Sequence, residues 1–478
     1  MAFQGSGPHL FAFLLFIFFG TPDGVHARNL NLDDLNAAAE AGDMNARRDL
    51  GEALVFGRGG ATQDTEAGLT LLTLASDAGD IDAKAILGKL LLEGYVVTAN
   101  PDRGAQLLDD AIAAGHTQAR TTLGLAYLWG VNRDEDFERA QMLLEEAADM
   151  GDMTAVRVLG QNLLGGWVFA QDVERGIALL EQAGAADDSS AIVSLGKYYF
   201  NRSGLSEDHD RALVYFESAA ELGNGEGLKS YGSALMWSES GPARAEAYLR
   251  RAGELGVGSA WTTLSTGAMY GYLGRNSRSK FDSYAELASA AGEDRIAVLE
   301  AQRQMWGISM VASGPRTIEA LEQAAEAGNA EAAKYLIGLV RDGNSLNIRK
   351  NLDQARDFLA RFLDLLTPVE IAQYSLSIDV ASTRKTANYP ALAETYNSQP
   401  ELRSIAFGQD LYKANANFAF YLLQSAMRQN GTYNGPLNAY ATRSTLRGVY
   451  RECRTLYNPS RCNDTIMRPD IIGALIAR

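Results

Sequence analysis

The sequence predicts an all-α protein: a right-handed α-solenoid of helix–turn–helix repeats that ends in a small helical C-terminal module. Three observations carry this expectation. Apolar residues recur in short blocks at helical spacing. A glycine followed by Asp, His or Asn returns at Gly42, Gly79, Gly115, Gly151 and Gly223, and in variant form at Gly256, Gly292 and Gly328, with spacings of 37, 36, 36, 72, 33, 36 and 36 residues. A second landmark keeps phase with it at Leu50-Gly51, Leu87-Gly88, Leu123-Gly124, Leu159-Gly160 and Leu195-Gly196, continued by Tyr231-Gly232. A period of this size marks a solenoid, in which each helix pair packs only on the pairs before and after it.

The stretch from Gly115 to Asp152 shows one complete unit. Ala119, Leu123, Ala126 and Tyr127 share a face of a first helix, Gly130 and Asn132 break it, and Phe137, Ala140, Leu143, Leu144 and Ala147 line a second. Asp134 or Asp136 is placed to cap that second helix. Two short helices cannot bury this much apolar surface alone, so they need neighbours.

At these residues the chain resembles the Sel1-like repeat family, a relative of the tetratricopeptide repeat. The pattern is carried by Ala119, Leu123, Gly124, Tyr127, Gly130, Asp134, Ala140, Leu144, Ala147 and Ala148. It recurs from Ala83 to Ala105 and from Ala191 to Ala220. The resemblance covers residues 30–365 and implies an α-solenoid scaffold that binds other proteins.

Residues 1–27 read as a secretory signal: the apolar run Leu10–Gly20, a break at Thr21-Pro22-Asp23-Gly24, and small residues in Val25-His26-Ala27. The run is shorter than the ~20 residues needed to span a bilayer. The first ten residues contain no Lys or Arg, which departs from the usual pattern. With 46% hydrophobic residues the chain can fill a continuous core. Its net charge of −16 argues against nucleic acid as a partner. The charge is uneven: residues 401–478 hold 10 Lys/Arg and 5 Asp/Glu, a net of +5, so residues 1–400 carry −21.

Residues 28–265 hold the regular repeats. Each second helix is preceded by a capping candidate: Asp64, Asn100 or Asp102, Asp134, Asp172, and Asp208 or Asp210. One acid per repeat reads as capping and not as a metal array. Aromatics near the end of each first helix (Phe56, Tyr95, Trp129, Trp167, Tyr199, Trp237 and Tyr270) fit packing between repeats. Tyr95 and Trp167 follow the turn glycines, which makes them the candidates for exposure and partner binding. Residues 266–316, with the Gly-rich basic stretch Gly267–Lys280, read as an irregular region: a bend, an insertion or a mobile segment. Residues 317–366 form a further repeat. Residues 367–400 read as a helix, begun by Thr367-Pro368, followed by a linker with a short helix.

The tail, residues 401–478, is different in kind. Its segment Asn417–Cys453 resembles the small helical modules of the peptidoglycan-binding-like family at Leu423, Gln424, Met427, Gly431, Tyr433, Gly435, Pro436, Asn438, Thr442, Arg443 and Leu446. Ala439 stands where that family has a second glycine, and the Asn438–Thr442 spacing is short. The resemblance implies a glycan site at Tyr433, Gly435, Pro436, Asn438 and Thr442. The alternative reading is that Tyr-x-Gly-Pro shapes a turn between helices. Cys453 and Cys462 are the only cysteines, and eight residues between them with Asn458-Pro459-Ser460 suit a disulfide in an oxidising compartment. Such a ring constrains the unfolded chain by roughly 2–3 kcal/mol.

Catalytic chemistry finds little footing. The four His are His9, His26, His116 and His209, and no nucleophile elbow, zinc-protease helix motif, P-loop or dinucleotide glycine pattern is present. No catalytic residue, metal site or cofactor is expected. Exported Sel1-like proteins of bacteria suggest two roles: a non-catalytic periplasmic scaffold in exopolysaccharide synthesis or export, and an inhibitor of a membrane signalling receptor. A third reading makes the tail a cell-wall glycan binder. The expected partners are envelope proteins, with peptidoglycan or exopolysaccharide as further candidates, and contact with the membrane only through partners. The expected location is periplasmic or secreted.

Overall fold

The computed structural model describes residues 32–201, 206–236, 241–456, 462 and 466–478. The signal segment and Trp237 lie outside the described residues. The described residues are helical, with no strand among them. After Leu32–Glu40 the helices run in antiparallel pairs, a first helix A and a second helix B. They are Met44–Phe56 with Thr65–Asp77, Ile81–Glu93 with Pro101–Ala113, Thr117–Trp129 with Phe137–Asp149, and Met153–Gly165 with Val173–Ala185. The pattern continues through Ser189–Asn201 and Ser206–Glu221 to Gly225–Leu235 with Pro242–Glu254. Gly258–Tyr270 with Arg278–Ala290, Arg295–Trp306 with Gly314–Glu326, and Ala330–Asp342 with Leu352–Arg361 complete the series. The chain divides into two compact units, residues 1–197 and 198–478.

In several of the earlier pairs the two backbones nearly touch, and the Leu-Gly landmark is the reason. A Cβ on Gly88 would lie 2.9 Å from Leu108 Cγ and 3.0 Å from the Gly104 carbonyl oxygen. The facing Gly104 is tighter, with an added Cβ 2.5 Å from the Leu92 amide nitrogen. Gly51 meets Gly68 and Gly160 meets Gly176 in the same way. Absence of a side chain on both helices lets the flanking leucines interlock; Leu72, Leu108, Leu123, Leu144 and Leu180 have no exposed surface. Burying each such side chain stabilises by about 1.5–3 kcal/mol.

The glycine–Asp/His/Asn landmark ends helix B and starts the next helix A. Gly79 adopts φ 97°, and the Asp80 amide donates to the Ala75 carbonyl at 3.0 Å. The Asp80 carboxylate then accepts from the Ala83 amide at 2.8 Å, capping the following helix. His116 does the same through Nδ1, which accepts from Ala119 at 3.0 Å. The 72-residue gap in the sequence landmark is filled by Asp187, which takes φ 63° in place of a glycine, followed by Asp188 as the cap. The cap's second oxygen reaches back to the previous helix A. Arg48 Nη1 donates to Asp80 at 3.1 Å, Thr121 Oγ1 to Asp152 at 2.9 Å and Arg157 Nε to Asp188 at 2.9 Å. One residue type thus starts a helix and fixes its repeat on the one before.

Helix B is capped by Asp64, Asn100, Asp136 and Asp172. Of the alternatives, Asp102 lies two residues past the cap, in the first turn of Pro101–Ala113, and Asp134 sits in the turn before the true cap. Asp208 and Asp210 lie within Ser206–Glu221. The segment 266–316 forms regular pairs, because the 36-residue landmark spacing across it is unbroken and only its turn composition changes.

The 367–400 segment is packed, not a free linker. Thr367 and Glu370 form a reciprocal capping box with Pro368 at the first position. Tyr389 is 1% exposed and sits edge-on to Phe418 at 5.5 Å, and the Tyr396 hydroxyl donates to the Ile476 carbonyl at 3.0 Å. These side chains share one core with Ile405–Ala414, Ala416–Gln429, Arg443–Cys453 and Pro469–Ile476. Gly408 and Gly473 repeat the close backbone approach, with an added Cβ on Gly408 2.6 Å from the Gly473 carbonyl oxygen.

Gly104→Ala is expected to cost more than about 2 kcal/mol, since the nearest obstacle is backbone and cannot move aside. Gly338→Ala, whose added Cβ meets nothing within 4 Å, should instead stabilise by about 0.5–1 kcal/mol. Urea titration of the two variants checks both signs.

Candidate functional site

The turns joining helix A to helix B carry exposed apolar side chains. Tyr95 and Trp167, the partner-binding candidates, are 50% and 69% exposed. Each follows a left-handed glycine, Gly94 or Gly166, that closes helix A and turns the next residue outward. Trp167 lies against Gly165, where any side chain would collide with the indole. The other aromatics divide. Tyr199 is buried and stacks on Tyr215 at 5.7 Å, while Phe56 and Trp129 are partly buried against the repeat cores. Tyr270 departs from the packing expectation at 43% exposure.

A shallow basin of about 510 Å³ lies at the turn between Thr117–Trp129 and Phe137–Asp149, lined by Tyr127, Arg133, Asp134, Glu135, Asp136, Phe137 and Glu138. Arg133 and Arg139 sit over the Tyr127 ring at 4.3 and 4.8 Å. This arrangement braces the turn. Asn132, in a left-handed conformation, donates to the Leu92 and Glu93 carbonyls at 2.9 Å each and so ties the turn to the preceding helix end.

A second cleft of about 170 Å³ is lined by Glu370, Gln373, Tyr374, Ser404, Ala406, Phe407 and Asp410. Its acids already have partners: Glu370 serves the Thr367 cap and Lys334, and Asp410 faces Arg341. Burial drives the Tyr374 phenol well above its ordinary range, which keeps it protonated. Among the described residues no group of three or more His, Cys, Asp or Glu is placed to hold a metal ion.

Beside that cleft lies an ion network that sequence reasoning did not single out. Arg341, 1% exposed, donates to both Asp342 oxygens at 2.7 and 2.9 Å and to Ser377 at 2.8 Å, and lies 3.5 Å from Asp410. Lys413 reaches Asp342 at 3.0 Å. Burial opposes ionisation of Asp342, but hydrogen bonds and charge from Arg341, with Lys413, outweigh it and hold the carboxyl below its ordinary value. The only signal in the sequence was an Arg-Asp pair at a helix end, which usually reads as solvated surface.

The glycan-site candidates of the tail are built into the loop that carries them. Tyr433 is 3% exposed, its hydroxyl donates to the Pro436 carbonyl at 2.9 Å, and its ring leaves no space for a side chain at Gly435. Asn438 accepts from Gln424 at 3.1 Å, and Thr442 caps Arg443–Cys453. Gln424, fully buried, organises the loop: its amide nitrogen donates to Asn438, Tyr440 and Thr445, and its oxygen accepts from Ala439 at 2.8 Å. Ala439 takes φ 67°, the left-handed conformation for which a glycine would be usual. The residues therefore shape a turn and present no open tyrosine face. Cys453 and Cys462 form a buried disulfide with Cα atoms 6.0 Å apart.

Stacked helix pairs with exposed turns, and clefts whose acids are already paired, define an α-solenoid built for contact with other macromolecules. The Sel1 repeat family model matches residues 45–80, 81–116, 118–152, 155–188, 189–224 and 405–431. The chain thus carries six Sel1 repeats. Repeats of this family typically mediate protein–protein interaction. The match at 405–431 falls on the helices read above as a peptidoglycan-binding-like module, and that second resemblance finds no support. Among solved structures, the chain is similar to c5321, a protective antigen of uropathogenic Escherichia coli strains displaying an SLR fold. Identity is 17%, over 86% of this chain and 91% of that one, with a TM-score of 0.49. It is also similar to a Sel1 repeat protein from Oxalobacter formigenes, at 22% identity over 71% of this chain and 95% of that one, TM-score 0.47. No curated protein matches the chain.

Two outcomes follow. Gln424→Leu strips partners from a buried loop and should cost about 3 kcal/mol, with earlier proteolysis between residues 430 and 442 as the readout. For Asp342, a depressed carboxyl contributes stability that is full above the ordinary carboxylate pKa of about 4 and is lost as pH falls through the lower folded value. Asp342→Asn should lose about 3–5 kcal/mol at pH 7, because Arg341 is left buried with its main counterion gone, and should flatten the acid limb of a urea-stability profile.

Proposed function

We propose that the protein is a non-catalytic scaffold of the cell envelope that holds partner proteins together, in exopolysaccharide synthesis or export. The observation that carries this reading is the exposure of Tyr95 and Trp167 on the turn edge of a regular Sel1 array, where aromatic side chains supply contact area with little conformational cost. The buried Cys453–Cys462 disulfide supports an oxidising compartment, and the leader-like N-terminus supports export. No helix among the described residues is long and apolar enough to cross a membrane.

Photocrosslinkers at positions 95 and 167 in living cells test the reading. Capture of a polysaccharide synthase or export subunit is the expected result; capture of a sensor domain would favour inhibition of a signalling receptor instead. Thiol trapping of the same cells should find Cys453 and Cys462 fully oxidised. A reduced pair would overturn the envelope location.

A further inference from the structure

Three consecutive helix pairs in residues 258–361 carry a second kind of turn edge. Tyr270, Trp306, Met310, Val311 and Leu346 are 43, 50, 37, 83 and 54% exposed. All five lie at the A–B turns of Gly258–Tyr270, Arg295–Trp306 and Ala330–Asp342. Ser309, at φ 60°, holds the Met310-Val311 tip in a tight outward turn. The turns form a continuous edge. Asp282 receives Arg303 at 2.6 Å and Arg278 at 3.6 Å, Arg303 Nε reaches the Ile308 carbonyl at 3.4 Å, and Asn347 donates to the Met305 carbonyl at 2.9 Å.

Its charge is opposite to that of the chain. Turns 271–277, 307–313 and 343–351 hold Arg275, Arg349 and Lys350 and no Asp or Glu. The corresponding turns 94–100, 130–136 and 166–172 hold Arg133 against Asp134, Glu135, Asp136 and Asp172. Arg275, Arg316 and Arg349 are exposed and make no ion pair among the described residues. A protein of net charge −16 thus gathers unpaired guanidinium groups beside exposed apolar knuckles on one edge.

We propose that this edge docks an acidic segment of a partner protein that sets aliphatic or aromatic side chains between its carboxylates. The proposal rests on the scaffold reading and names the surface and the partner's chemistry. Carboxylates match the three guanidinium groups, and Val311 and Trp306 are the apolar anchors. A polyphosphate chain or an anionic bilayer is disfavoured because the acidic remainder of the protein repels a dense polyanion.

The test uses full-length protein and a fluorescein-labelled peptide of about fifteen residues in which Asp and Glu alternate with Leu and Phe on a Ser/Gly background. Anisotropy should report binding at about 10–100 μM, weakened about tenfold by Val311→Asp and about tenfold by Arg316→Glu with Arg349→Glu, and weakened by salt. These side chains are exposed, so thermal melts of the variants should match the parent. The proposal is overturned by no binding, by equal binding of a peptide with Lys in place of its acids, or by binding that neither variant alters. It is equally overturned if the same variants abolish binding to anionic vesicles or to an oligonucleotide while peptide binding is absent. A concentration-dependent dimer that these variants dissolve would make a second copy the occupant and overturn it too. Crosslinking from positions 95 and 167 is read separately: if it persists, failure here leaves the scaffold reading standing.

Discussion

The fold depends on the close crossing of the two helices in each pair. Where Gly88 faces Gly104, and Gly160 faces Gly176, no side chain stands between backbones, so the flanking leucines can interlock on both sides. A small residue at the crossing lets those helices approach closely. Gly408 against Gly473 repeats the same close approach in the last helices of the chain.

Stacking of one pair on the next uses a second device, the shared cap. Asp80, Asp152 and Asp188 each spend one oxygen on their own helix and the other on the helix before. Local helix initiation and long-range order therefore rest on the same carboxylate. This arrangement satisfies exposed amide groups and sets the repeat register at once. The A–B turns take no part in it beyond stitches such as those of Asn132, Asn347 and Lys350, which leaves most of their outer side chains free to vary in charge and apolarity. Function in a solenoid of this kind resides where the packing makes the fewest demands.

The C-terminal part shows what happens when the repeat is not followed by another identical one. Tyr389, Tyr396 and Phe418 close the core, and Arg341 with Asp342, Ser377, Asp410 and Lys413 ties Ala330–Asp342 to the helices that follow. A buried ion cluster demands specific partners in specific places, so it favours one arrangement of these helices over alternatives of similar apolar burial. Gln424 acts likewise on the loop that contains Tyr433.

By itself the sequence determined the helical class, the repeat period, the caps at Asp64 and Asp172, and the outward placement of Tyr95 and Trp167. Each of these follows from local chemistry: a periodic apolar face, a side-chain oxygen before a helix, or a residue just past a left-handed glycine. Only the tertiary structure decided the rest. Asp136 and not Asp134 is the cap because the chain must first return to the Tyr127 carbonyl. Asp187 hides a repeat because a non-glycine residue holds the left-handed position. Tyr433 and Asn438 became scaffold and not a ligand face because the Tyr433 hydroxyl is held by Pro436 and Thr445, and the buried Gln424 of the preceding helix holds Asn438 and Ala439. Local pattern names the elements, whereas burial and long-range hydrogen bonds decide which polar and aromatic groups remain free to meet a partner.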